Sequence, residues 1–221
     1  SNSTSAAVRG GAVIDSAGTL SVDASDTSTV EANSGGLAVS LGAGVGAAAA
    51  LNTLANTVEA YTDDADIEAA GNIVIEATSA NDVDALAIAF GAGGIVGGFA
   101  SVTINTVTTS TDASMRTGGT IAAPAVRLSA RDDSVLDADS GGLAVSVGVG
   151  AGGSFARNEM ATSVTAGIGG AEVTTSEANV DISAVSSFDV DASGLGFSLA
   201  GLVVGVGTAS INDLANTTRA F

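Results

Sequence analysis

The chain has 221 residues and a formal net charge of −18; its six basic residues are all arginine, and cysteine, histidine, lysine and tryptophan are absent. This balance argues against nucleic acid and anionic membranes as partners, because both need basic clusters that meet phosphate. Without cysteine there is neither a disulfide framework nor thiolate chemistry.

The first recurring element is an apolar residue two places before an alanine. It occurs at Val22/Ala24 and returns at Ile75/Ala77, Leu128/Ala130 and Ile182/Ala184. An acidic column, Glu31, Asp84, Asp137 and Asp191, keeps the same spacing of 53, 53 and 54 residues. So does an asparagine column, Asn52, Asn105, Asn158 and Asn212. Fixed phase of this kind marks equivalent positions in a stack, so one repeat array is expected over 1–221, with approximate units 8–60, 61–113, 114–166 and 167–220. The closing segment Leu214 to Phe221 matches Leu54 to Tyr61, a column that falls on Ser1 to Val8 one period earlier. On this spacing the chain holds four whole units without caps.

Residues Gly35 to Asn52 read as long strands bent at a glycine-rich middle. Leu37, Val39, Leu41, Val45 and Leu51 share one parity, and Ala38, Ser40, Gly42, Gly44 and Gly46 share the other. A strand with a Gly/Ala face can lie unusually close to a second sheet. The stretch is nearly long enough for a membrane helix, but its period is 2 rather than 3.6, its glycine content is poor for helix, and Lys/Arg anchors are missing from its flanks. No transmembrane segment is expected.

From Ile67 to Ala85, three echoes of apolar–acidic–Ala, at 67–69, 75–77 and 83–85, read as short strands. Corners are expected at Ala70-Gly71-Asn72 and Ser79-Ala80-Asn81, with the apolar side chains inward and the acids outward. Pro124 falls at such a corner, where a missing donor does little harm. The fold class expected is therefore all-β: a β-solenoid of four 53–54-residue repeats with one wide coil per repeat, the alternative being two or three coils per repeat. Stacked at about 4.8 Å, each asparagine amide reaches the carboxamide of the next coil.

Candidate chemistry centres on the acidic column. Adjacent carboxylates at about 4.8 Å repel by roughly 0.9 kcal/mol in water, and Asp63, Asp64 and Asp66, or Asp132, Asp133 and Asp139, supply further oxygens. A solvated acidic ridge is the simpler reading and calcium the sharper one, although neither the nonapeptide of calcium β-rolls nor an EF-hand loop is present. No other cofactor is implied. A carbohydrate-active enzyme would have to work with acids and arginine alone. Arg131, Asp132 and Asp133 are adjacent, but neighbours on a strand face opposite ways, and Arg116, Arg127 and Arg131 read as charge balance. No catalytic residue is assigned and no enzyme is expected. The sequons at Asn2 and Asn216 permit surface glycosylation.

The segment GGLAVSLGAGVGAAAALNTLANTVEAYTDDADIEAAGNIVIEAT resembles the repeats of very large bacterial surface proteins, the leukotoxin-type filamentous adhesins. Those units run from a Gly/Ala/Val stretch through Asn-x-x-x-Asn-x-x-x-Ala-Tyr to a strand like Gly-Asn-Ile-Val-Ile. The likeness extends over essentially the whole chain, with Phe155 to Thr165 departing most. It implies a secreted β-solenoid at the cell surface, used in adhesion or matrix building. Open strand edges template further pairing, so head-to-tail stacking with copies of itself into a fibre is the expected function. The alternative is an adhesion module of a cell-surface stalk, whose Ser/Thr column (Thr57, Ser110, Ser163, Thr217) meets a host or matrix ligand.

Overall fold

The computed structural model describes residues 1–221, the side chain of Ala178 aside. Nine strands follow one another: β1 (Asn2–Ser16), β2 (Leu20–Ser40), β3 (Ala43–Ala69), β4 (Ile73–Gly93), β5 (Val96–Met115), β6 (Thr120–Ser146), β7 (Val149–Ile168), β8 (Glu172–Leu199) and β9 (Val203–Ala220). They form one parallel sheet, and each strand from β1 to β7 pairs with the strand two further on. Even-numbered strands build one wall and odd-numbered strands the other. A single turn thus consumes 53 or 54 residues, as the pairs Ala24↔Ala77 and Val149↔Val203 show. The fold is an all-β solenoid with wide coils, and the reading with two or three coils per repeat is set aside.

The cross-section is a flattened loop. A 21-residue wall such as β4 extends about 70 Å. The walls meet at a sharp arch, at Leu41-Gly42 between β2 and β3 and at Gly94-Ile95 between β4 and β5. At the other end a short third side closes the loop, formed by Ala65–Ala69 and joined to β6 by the Ile67↔Ile121 pair. Here the interior is widest and filled with bulky residues: Ile67, Ile73, Ile75, Met115, Ile121 and Leu128 are all at most 2% exposed.

Toward the arch the interior narrows, and the residue sizes follow. Leu54, Val83, Val107, Leu136 and Met160 form a middle layer, and Ala48, Ala50, Ala85, Ala87 and Ala89 a thinner one. Beyond that the walls touch backbone to backbone: a Cβ on Gly91 would lie 1.7 Å from the carbonyl oxygen of Gly98, and one on Gly44 2.0 Å from that of Ala92. The Gly/Ala parity therefore faces inward and the large parity faces solvent. Leu37 is 75% exposed and Leu41, at the arch, 98%. Phe99 is the one aromatic side chain turned into the thin region among the described residues, in a column it shares with Gly46, Gly152 and Val206. It occupies room left by Gly142, Gly152 and Gly196, whose Cβ atoms would fall 2.1, 2.1 and 2.8 Å from its ring.

Two sequence expectations change. Ser79-Ala80-Asn81 is not a corner but lies inside β4. Its polar side chains are fully buried or nearly so, because Asn81 donates to Ser79, Thr109 and Ser134 and so needs no water. The column proposed for Ser1 to Val8 is displaced by one residue, since Tyr61 pairs with Ala7 and Thr62 with Val8. The extra residue is absorbed where the register shifts between Arg9 and Ala12, at Gly10 and Gly11, both with positive φ. Asp64 (φ 52°) and Gly118 (φ 68°) turn the same corner in later coils. Pro124 sits at the register irregularity between Ala123 and Ala125, one coil beyond the Ala70-Gly71-Asn72 corner.

Candidate functional site

The asparagine column is a buried ladder of amides. Asn52 donates to the Oδ1 of Asn105 at 3.1 Å, Asn105 to that of Asn158 at 3.0 Å, and Asn158 to that of Asn212 at 3.1 Å. Alternate side chains of a strand share a face, so these asparagines join the Ala48/Ala50 parity and point inward. Each amide also reaches across to the opposite wall. Asn52 donates to the carbonyl of Asp84 at 2.7 Å, Asn105 to that of Asp137 at 2.6 Å, and Asn158 to that of Asp191. Asn212 donates to the carbonyl of Val190 at 3.0 Å. The ladder thus fastens coil to coil and wall to wall at once, at the level where the apolar filling gives way to alanine.

The acidic column aligns in register as well, Glu31↔Asp84↔Asp137↔Asp191. Its backbone receives the ladder while its carboxylates point outward. Partial burial is the first cause that raises the pKa of Asp84, followed by the charges of Glu31, Asp139 and Asp82. Asp137 is likewise raised, by burial and then by Asp139, Asp84 and Asp191. The column is a row of mutually repelling carboxylates on the outer wall.

A second polar layer lies inside, between the wide core and the middle layer. Asn56 donates to Asp26 at 2.8 Å, to Ser28 at 3.0 Å and to Asn81 at 2.7 Å. Asp26 is thereby well satisfied. Two coils on, in the same column, Asp132 is fully buried with only one oxygen engaged, by Ser134 at 3.0 Å, and its Oδ1 lacks a partner. Desolvation raises its pKa; hydrogen bonds from Ser134 and Ser79 offset part of that. The sequence singles out Asp132 as a possible oxygen donor without placing it inside. The signal was its parity with Leu128 and Ala130, both inward.

Other named residues separate by face. Asp133 points outward and binds Arg131 at 2.6 Å, so Arg131 and Asp132 do not converge. Arg116 lies 3.6 Å over the Tyr61 ring and pairs with Glu59 at 2.7 Å and Asp112 at 3.4 Å. Asp63 accepts from Thr117 at 2.7 Å, and Asp66 accepts from both the backbone N–H and the hydroxyl of Thr120, which lower its pKa. Among the described residues no three or more His, Cys, Asp or Glu side chains gather as a metal-binding group, and no helix is long and apolar enough to cross a membrane.

Asn2 and Asn216 fall in the inward column of Asn56 (Asn2↔Asn56↔Thr109↔Thr162↔Asn216), and Asn2 donates to Asp26. A glycan at either would project into the position of a stacked coil rather than from the outer wall. The Ser/Thr column is outward and five deep, Ser3↔Thr57↔Ser110↔Ser163↔Thr217, lining a shallow furrow beside Thr108 and Ala161.

Compared with protein-family models, curated proteins and solved structures, the chain finds no match.

Proposed function

We propose that the chain is an extracellular structural repeat protein that forms, or belongs to, a β-solenoid fibre. The observation that carries this reading is the polarity of the amide ladder. Every amide donates toward the next coil, so Asn52 Oδ1 is presented at one end and Asn212 Nδ2 at the other. A further coil continues the ladder without a change of register, and the apolar and acidic columns run on with it. The free outer edges of β1 and β2 at one end, and of β8 and β9 at the other, offer backbone donors and acceptors for the same contact. Because such head-to-tail contacts do not close on themselves, the product is an open filament.

The likeness to filamentous adhesin repeats supports a cell-surface location, with scaffolding rather than catalysis as the role. The five-deep hydroxyl column favours a second reading, an adhesive face on the odd-strand wall. Negative-stain microscopy of the purified chain distinguishes the two. Long fibres support assembly, whereas dispersed short rods that bind cells or carbohydrate through the Thr57 column support the adhesive module and remove the fibre reading.

A further inference from the structure

The outer wall near the arch carries no charge in any coil: residues 35–51, 86–111, 140–156 and 193–212 contain no Asp, Glu, Lys or Arg. All of the −18 lies elsewhere. Along the even-strand wall the outward columns alternate by coil. Gly35, Ile88, Gly141 and Leu195 stack in one column, and Leu37, Phe90, Leu143 and Phe197 in the next. Odd coils share the sequence SGGLAVS (34–40 and 140–146), while even coils place Ile88 and Leu195 where the odd coils place glycine. In the Gly35 column the result is an alternation of ridge and groove repeating about every 9.6 Å, two coil spacings, beside a Leu/Phe column that is bulky in every coil. Ile88 is 53% and Leu195 62% exposed, and nothing lies within 4 Å of a Cβ built on Gly35.

We infer that this wall docks against the same wall of a second copy, face to face, about a two-fold axis that runs along the strands between β4 and β6. That operation reverses the order of the coils and keeps each column opposite itself. Ile88 then faces Gly141 of the second copy and Leu195 faces its Gly35, so in this column each large residue meets a glycine, while in the next column Leu37 meets Phe197 and Phe90 meets Leu143. An isologous contact requires self-complementarity of this kind, and period-2 apolar ladders interdigitate as dry zippers. The charge distribution agrees, because like-charge repulsion between two acidic chains is least where both are neutral. A bilayer is a poorer occupant: interfacial Trp, Tyr and Lys/Arg anchors are missing from the rim of this wall, and open sheet edges are not tolerated in hydrocarbon.

The area is modest. Six or seven residues by four strands give about 400 Å² per copy, roughly half the ~800 Å² that a stable pair buries on each side. Lateral pairing is therefore weak between single chains and strengthens as coils are added. It does not depend on end-to-end stacking, and absence of fibres alone would count against the fibre reading and not against this contact.

Since the chain lacks cysteine, disulfide trapping reads the contact directly. Chains carrying Ile88→Cys and chains carrying Gly141→Cys, mixed and oxidised, should give mixed dimers well above the statistical half, while Thr108→Cys on the odd-strand wall should give only random collisional cross-links. Gly35→Leu with Gly141→Leu fills both grooves on the outside of the wall and should weaken association by about tenfold or more in sedimentation, with the far-UV spectrum unchanged. Ile88→Ser with Leu195→Ser should do the same from the ridge side. Statistical cross-linking, unchanged association in both variants, or flotation with phosphatidylcholine vesicles would each overturn the inference.

Discussion

The side-chain amide of Asn105 donates to the backbone carbonyl of Asp137, 2.6 Å away on the facing wall, while the same amide bonds Asn158 in the next coil. One fully buried residue therefore joins three strands. Replacing it with alanine leaves the Asp137 carbonyl and neighbouring amides without partners, at about 1–3 kcal/mol for each group left unsatisfied. Asn105→Ala should lower stability by about 2–5 kcal/mol. Asn212→Ala, at an exposed position, should cost under about 1 kcal/mol. Denaturant titration of both variants reads the difference, and equal losses would show that the ladder is not holding the coils.

Phe99 and Gly152 are coupled by size. Phe99→Ala empties the largest site of the thin region among the described residues and should cost about 3–5 kcal/mol. Gly152→Ala puts a methyl against the Phe99 ring, the first atoms it would meet, and should also destabilise. In the Phe99→Ala background the Gly152→Ala penalty should disappear, giving a coupling energy above about 1 kcal/mol in a double-mutant cycle.

Asp64 adopts a left-handed backbone at the corner, with φ 52°. Asp64→Gly should be neutral or slightly stabilising. Asp64→Val should lower the unfolding midpoint by several degrees, since a β-branched residue is strained there by about 1–2 kcal/mol.

Burial raises the carboxyl pKa of Asp132, Asp84 and Asp137, with neighbouring acids adding to it. A raised folded value means that the folded chain binds protons more readily than the unfolded one. Their contribution is then most favourable below the ordinary carboxylate value and is lost as pH rises through the raised values. Asp66, lowered by Thr120, acts in the opposite sense: its contribution is present above the ordinary value and fades as pH falls. Three groups outweigh one, so the thermal midpoint should rise as pH is lowered from 7 toward the carboxylate range. Asp132→Asn removes the buried charge and should stabilise the chain at pH 7 by about 1 kcal/mol or more, with the gain shrinking on acidification. A midpoint that falls steadily from pH 7 would contradict this.

Much of the fold was legible because period 2 and period 53 are both written in residue size. Ala24, Ile75 and Asn105 could be placed inward and in register before any coordinates, and the Gly/Ala parity of residues 35–46 announced the close approach of the walls. What misled was polarity. Ser79-Ala80-Asn81 has the composition of a turn, and only its partners across the interior, Thr109 and Asn56, reveal a buried layer. Asp26 and Asp132 were hidden for the same reason, since a carboxylate is ordinarily assigned to solvent. The one-residue slip near Gly10 was hidden too, because φ is not visible in a spacing. Phe99 carries no signal of its own in the sequence, because the glycines that make room for it, Gly142, Gly152 and Gly196, lie on other strands.

Cryo-electron microscopy of assemblies of the purified chain, read as axial rise per subunit, tests the account most directly. Four coils at the inter-strand spacing predict a rise of about 19 Å with a strong layer line near 4.8 Å. A rise of about 40–60 Å, or a self-contained particle that never adds a second copy at its strand edges, would contradict it.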